Sequence, residues 1–254
     1  MAIRTGHDKP LLPAGPACGT SCGMTMLFDL PANPSVPVLG EAARFPVRRI
    51  FCVGRNYAAH AKEMGFSPDK DAPFFFTKSP WALCQSGATI PYPLGTANCH
   101  YEMELVLAIG APAFRMAEDD ALAAVYGYAC GLDMTRRDLQ NAARDQGRPW
   151  DFGKDFENAA VIAPITRAAD FGAAAGQAIR LTQNGEVRQD ASLTELIFSV
   201  PELIAYLSTF YHLEPGDLIY TGTPAGVGPI ASGDRLLGTI DGLTPVELAI
   251  GPAD

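Results

Sequence analysis

Lysine is scarce in this sequence. Five of its 19 basic residues are Lys, and no basic run occurs. The formal net charge is −9. Nucleic-acid binding needs a clustered positive face, so that partner class is excluded. The acidic balance favours solubility and carries no direct information about fold. Long apolar runs are missing too. Nothing approaches the roughly 18 consecutive apolar residues of a membrane-spanning helix, so no membrane partner is expected. Residues 1–23 lack the apolar core of a signal peptide; they are polar and rich in Gly and Pro. They are expected to be a disordered extension, with Met24 or Met26 as the natural start. Cysteine is sparse, at Cys18, Cys22, Cys52, Cys84, Cys99 and Cys130. Cys18 and Cys22 have no second pair of ligands, so a zinc site is not expected there. Cys52 and Cys130 sit in apolar runs, where a free thiol acts as a small hydrophobe. This is no dense disulfide framework, and a reducing cytoplasm is the expected location.

What is present is an ordinary globular balance. Hydrophobic residues make up 48% and charged residues 19%, enough to fill a sizeable core. The 25 Gly and 21 Pro imply many turns, and hence many strands. Pro31, Pro34, Pro37 and Pro46 keep residues 24–48 extended, as an N-terminal arm. A single catalytic domain is expected over 49–254. Within it, Ile50 to Gly54, a run from Phe74 to about Lys78, Tyr101 to Gly110, Val125 to Leu132 and Leu218 to Thr221 read as strands. Tyr57 to Met64 and Thr135 to Arg144 read as helices. Ser199-Val200-Pro201-Glu202 is a capped helix start, and the apolar spacing carries that helix to about Tyr211. Glu214 to Asp217 reads as a turn.

Chemistry enters with Glu102 and Glu104. Strand alternation puts both carboxylates on one face, at the end of a strand entering the core. Two carboxylates there repel unless a cation lies between them. Asp133 closes another apolar run, and Arg137 and Gln140 follow it on one helical face. Three carboxylates at buried strand ends suit a hard cation, Mg²⁺, Mn²⁺ or Ca²⁺. His60 and Glu63 are three apart, so on a helix they meet, and a carboxylate that holds an imidazole makes a general base. Each feature alone has an ordinary reading: a solvated strand end, a helix cap, a surface pair. Lys154 after Trp150 and Phe152 would be a solvated lysine. The turn Thr221-Gly222-Thr223-Pro224-Ala225-Gly226-Val227-Gly228 lacks the ending of a phosphate-binding loop.

As a set these motifs resemble the fumarylacetoacetate hydrolase family. The resemblance rests on Gly54-Arg55-Asn56-Tyr57 with His60 and Glu63, Phe75 with Lys78-Ser79-Pro80, and Glu102 with Glu104. It continues through Gly131, Asp133, Arg137 and Gln140 to Lys154 and the Tyr220–Gly228 stretch. The Arg49-Ile50-Phe51-Cys52-Val53 start and the Phe-Phe-Phe-Thr-Lys-Ser-Pro segment are most similar to its fumarylpyruvate-cleaving, acylpyruvate hydrolase branch. The resemblance implies an α+β fold: a mixed, mostly β roll around a central site, with short peripheral helices. It implies a homodimer. It implies a metal held by Glu102, Glu104 and Asp133, with His60, Glu63 and Lys154 catalytic. Arg55, Asn56, Lys78, Arg137, Gln140, Gly222 and Thr223 would bind a small keto-acid substrate. Where longer members carry another Asp ligand, this sequence has Val53, so water is expected in that position. The implied reaction is hydrolysis of an acylpyruvate carbon–carbon bond, with fumarylpyruvate giving fumarate and pyruvate in gentisate-type aromatic breakdown. The rivals are oxaloacetate decarboxylation, a diacid isomerase or decarboxylase, and a non-catalytic small-acid or metal-binding protein. A cysteine-nucleophile hydrolase is disfavoured, because no Cys sits in a Gly-rich elbow.

Overall fold

The computed structural model of the protein describes residues 27, 29, 31–65 and 72–253. The extension expected over 1–23 lies outside the described residues. Asn33–Asp254 form one compact unit. Among the described residues its largest sheet has eight strands. Seven of them are β1 (Arg49–Gly54), β2 (Phe74–Lys78), β3 (Leu83–Gln85), β4 (Met103–Ile109), β5 (Val125–Asp133), β6 (Ala160–Ile162) and β7 (Asp217–Tyr220). They run in the order β2-β1-β7-β4-β5-β6-β3, and Thr166–Arg167 also pairs with β5. Neighbours are antiparallel except β1 with β7 and β3 with β6. Every residue of β4 is buried. That is why Leu105 to Ile109 is apolar without alternation: the strand is covered on both faces.

A second sheet has five strands, in the order Glu186–Ser192, Ala178–Gln183, Arg235–Ile240, Val246–Ile250, Ala88–Ile90. Gly238 of this sheet lies against the Met103 side chain of β4. One apolar cluster includes Ile179, Leu181, Leu236 and Val246 of this sheet together with Met103, Leu105 and Val161 of the first. Burying that much aliphatic surface is the main term holding the roll together. The helices are short: α1 (Ala58–Glu63), α2 (Arg137–Asp145), α3 (Asp151–Lys154) and α4 (Val200–Leu207) among them. The fold is therefore mixed and mostly β, as the resemblance implies. Among the described residues no helix is long and apolar enough to cross a membrane.

Three boundaries differ from the sequence reading. The strand expected from Tyr101 breaks at Glu102. Cys99–Tyr101 belongs to a small sheet with Thr135–Arg136 and Gly228–Pro229, and β4 starts at Met103. The chain changes sheets at Glu102, whose carbonyl accepts the Asp133 amide at 2.9 Å. Thr135 and Arg136 pair with His100 and Cys99, so α2 begins only at Arg137. The Ser199 start holds: the Glu202 carboxylate accepts from the Ser199 amide at 2.8 Å. The helix stops at Leu207 rather than Tyr211. There the Ser208 and Thr209 hydroxyls turn back onto the Ala205 and Tyr206 carbonyls, each at 2.8 Å, and the backbone tightens into turns.

Candidate active site and metal centre

The register of β4 against β5 builds the acidic cluster. Glu104 pairs with Gly131 and Met103 with Leu132, which brings Glu102 opposite Asp133. Ligand oxygens of Glu102, Glu104 and Asp133 lie within 4.8 Å of one another, and all three residues are buried. Three cations surround them. Lys154 Nζ donates to Glu102 Oε2 and Asp133 Oδ2, each at 2.8 Å, and to Thr135 Oγ1 at 2.7 Å. Arg137 donates to Glu102 Oε1 and to Gln140. Lys78 Nζ faces Asp133 Oδ1 at 2.8 Å as an ion pair without hydrogen-bond geometry, and that oxygen accepts no hydrogen bond.

Charges are shared unequally. Burial alone would raise the Glu102 carboxyl, but Lys154 and Arg137 outweigh it and hold the group below the usual range. Burial pushes Glu104 well above the usual range, and Asp133 and Glu102 push it further. Among the described residues its hydrogen bond comes from the Gly222 amide, at 2.7 Å. Burial opposes the charge of Lys154, yet Asp133 and Glu102 prevail and raise its pKa. Glu104 is thus the carboxylate least offset by positive charge, Asp133 Oδ1 meets Lys78 as an ion pair outside hydrogen-bond geometry, and all three residues offer hard oxygens. That set fits a divalent cation. Three carboxylates, three side-chain cations and a divalent ion leave the site net positive, the sign that a keto-acid anion needs.

The His60 side chain is buried on α1. Its Nδ1 lies 3.0 Å from Glu63 Oε2. The Gly226 amide donates to both Glu63 oxygens, at 3.1 and 3.3 Å. Gly226 has φ +98°, and a Cβ there would come within 2.0 Å of the Arg188 carbonyl, so only glycine lets this amide reach Glu63. A carboxylate on Nδ1 keeps the proton there and leaves Nε2 with the lone pair, which is the tautomer of a base.

His60, Glu102, Glu104, Arg137, Gln140, Lys154, Thr223 and Arg55 line one cleft, walled also by Val53, Phe76 and Trp150. Other residues singled out in the sequence stand behind it. Asn56 spends its amide on the Phe198 and Thr221 carbonyls and on the Phe198 amide. Lys78 also donates to the Met134 and Lys154 carbonyls. Gly222 holds Glu104. Thr223 Oγ1 accepts from Gln189 at 2.8 Å. Asp133 is not a lining residue and joins the site through Glu102, Glu104 and Lys154, while Val53 lines the cleft wall. Sequence reasoning missed Thr135 and Arg144, and it singled out the turn that holds Gly226 without the contact of that amide with Glu63. Thr135 and Gly226 act through groups that distance along the chain conceals. Arg144 had a signal: it lies seven residues after Arg137, on the same helical face as Gln140.

The described cysteines offer no nucleophile. Cys52, Cys84, Cys99 and Cys130 are free and buried. Burial pushes Cys84 up to about 11, and Cys99 and Cys130 to about 12.

Known proteins match this arrangement. The family model described as fumarylacetoacetate (FAA) hydrolase C-terminal covers residues 49–250. A fumarylpyruvate hydrolase from a Ralstonia species is 54% identical over 193 residues, 75% of this chain and 100% of that one. The oxaloacetate tautomerase YcgM of Escherichia coli K12 is 39% identical over 204 residues, 80% of this chain and 93% of that one. A fumarylpyruvate hydrolase from Pseudomonas aeruginosa, solved with Mn²⁺ and pyruvate, superposes with a TM-score of 0.87 at 47% identity; it covers 90% of this chain and 100% of its own. The cleft, the acidic triad and these matches lead to one statement: the chain belongs to the fumarylacetoacetate hydrolase family and is a hydrolase with a divalent-metal site.

Proposed function

We propose that the enzyme hydrolyses the carbon–carbon bond of fumarylpyruvate, giving fumarate and pyruvate in gentisate-type aromatic catabolism. The observation that carries this reading is one cleft holding both a buried carboxylate triad and a carboxylate-oriented imidazole. Glu102, Glu104 and Asp133 would hold Mg²⁺ or Mn²⁺, with Ca²⁺ as a third candidate. When bound, the ion supplies Lewis-acid polarisation of the keto-acid oxygens. His60 Nε2 takes a proton from water, and Glu63 steadies the imidazolium that forms. The hydroxide oxygen adds to the acyl carbonyl carbon. The bond to the pyruvate methylene then breaks, its electron pair leaves with the pyruvate fragment as an enolate, and the proton taken up by His60 Nε2 goes to that methylene carbon, which completes pyruvate and frees the base. Arg137 and Lys154 supply positive charge beside that developing anion. All three ammonium protons of Lys154 have acceptors, so it also fixes Glu102 and Asp133. Gln140 and Thr223 position the substrate, Lys78 and Gly222 position Asp133 and Glu104, and Asn56 ties the His60 loop to the Thr221 turn. We place the enzyme in the cytoplasm as a homodimer, a reading supported by its free buried thiols and by the resemblance.

A second reading is tautomerisation or decarboxylation of oxaloacetate, favoured by the 39% relative. Neither needs an attacking water. The cleft adjoins a further open hollow lined by Phe74, Phe76 and Trp150, which leaves room for an acyl group beyond the keto-acid end and supports the hydrolase reading. The test is turnover of fumarylpyruvate, acetylpyruvate and oxaloacetate side by side, with Mg²⁺ and with Mn²⁺. Hydrolysis of fumarylpyruvate as the fastest reaction supports the proposal; oxaloacetate conversion alone rejects it.

A further inference from the structure

The outer cavity shares Arg55, Phe76, Arg144, Trp150 and Lys154 with the cleft, so the two adjoin, and a ligand at the carboxylate triad that is longer than its keto-acid end would point toward it. Its walls are flat and aromatic. Phe74 stands edge-on to Trp150 at 5.1 Å, and Phe76 lies 6.0 Å from the same indole. The Arg55 guanidinium lies over the Phe74 ring at 5.9 Å. Arg55, Arg144 and Arg148 all line this cavity, in a chain of net charge −9. Two carboxylates are close by: Asp145 pairs with Arg144 at 3.0 Å, and Asp151 lines the same cavity.

Arg55 carries a second mark. Its φ is +61°, the left-handed region that a residue with a β-carbon normally avoids. Such backbone persists where the surroundings over-determine it, and it concentrates at binding sites. The residue before it is Gly54, where a Cβ would meet the Phe74 ring at 2.5 Å. The turn therefore brings the chain at Gly54 up against the aromatic wall, directly before Arg55. Burial, and then the charge of Arg144, lower the Arg55 pKa; an anion near both would relieve the second effect.

We infer that Arg55 and Arg144 receive the carboxylate at the far end of the acyl group, and so select diacid over monoacid acylpyruvates. This rests on the acylpyruvate reading above. Fumarylpyruvate is charged at both ends. With its keto-acid end at the triad, its distal carboxylate would be desolvated against aromatic rings unless a cation met it. A guanidinium fork matches a carboxylate in shape and charge, and the aromatic wall offers apolar surface to the planar enoyl segment. Acetylpyruvate offers neither group.

The experiment uses Arg55→Asn, which tolerates the left-handed backbone, Arg144→Gln, and the double variant, all loaded with Mn²⁺. The ratio of kcat/KM for fumarylpyruvate to that for acetylpyruvate should fall by about 10- to 100-fold in each single variant, the loss typical of a charge-assisted hydrogen bond. Fumarate titrated calorimetrically into the same proteins should weaken by a similar factor, while Mn²⁺ affinity holds. Wild-type enzyme that cleaves neither acylpyruvate would refute the hydrolase reading, and the fumarate titration would still decide the arginine pocket. Equal fumarate affinity in the wild type and the double variant overturns the inference.

Discussion

Glu104 is the carboxylate with most to gain from a cation. Burial raises its pKa, the negative charges of Asp133 and Glu102 raise it further, and one backbone amide is its hydrogen-bond donor. A raised carboxyl stays protonated to a higher pH than usual, so cation binding must displace its proton. The expected outcome is Mn²⁺ affinity that rises with pH through the raised pKa, with proton release on binding. Calorimetry in two buffers of different ionisation enthalpy measures this, and heats identical in both would contradict it. Glu104→Gln removes the anionic oxygen and should weaken Mn²⁺ at least 10- to 100-fold, since even outer groups cost that much at metal sites. His60→Ala should lower hydrolysis by about 10²–10⁴ with Mn²⁺ affinity intact, and Glu63→Gln by less, because the imidazole remains. The triad and the His60–Glu63 pair were legible because alternation along a strand and three-residue spacing on a helix place side chains reliably. Asn56 and Lys78 were less legible. Their residue types suit a ligand equally well, and only the fold reveals that Asn56 meets backbone groups of Phe198 and Thr221 and that Lys78 meets Asp133 and two backbone carbonyls.

Elements matter through how closely they approach. Gly153 in α3 sits against α2: a Cβ there would lie 2.8 Å from the Gln140 nitrogen and 2.9 Å from its Cα. Backbone cannot yield cheaply, so Gly153→Ala should push α3 away and carry Lys154 off Glu102 and Asp133. Weaker Mn²⁺ binding and reduced turnover are expected with near-normal far-ultraviolet dichroism; unchanged Mn²⁺ affinity would show that α3 does not set the triad. The ends of β1, β2 and β7 were readable because Gly54, Pro80 and the Pro215-Gly216 turn punctuate them. The sheet change at Glu102 was not, because it depends on which strands Cys99–Tyr101 and Thr135–Arg136 find as partners, a non-local choice. The α4 end was misplaced for a local reason: its apolar spacing continues to Tyr211, while Ser208 and Thr209 divert the backbone.

Across the whole molecule, the early segment is bound in by charge and by apolar contact. Val36, Val38, Phe45 and Val47 are buried in the core. Asp217, fully buried, accepts from Arg49 at 2.6 and 2.9 Å and from Arg48 at 3.3 Å, joining the start of β1 to the start of β7. The proposed homodimer should scatter light as about twice 27.0 kDa at micromolar concentration; a mass near the monomer would contradict it. The central claim is that water cleaves the acyl side of fumarylpyruvate in the cleft that joins the triad to His60. The most direct measurement is turnover of fumarylpyruvate by the Mn²⁺-loaded enzyme in ¹⁸O-water, with the products read by mass spectrometry. The account predicts fumarate carrying one ¹⁸O atom in its newly formed carboxylate, beside an equal amount of pyruvate. Intact substrate, or fumarate without the label, would contradict it.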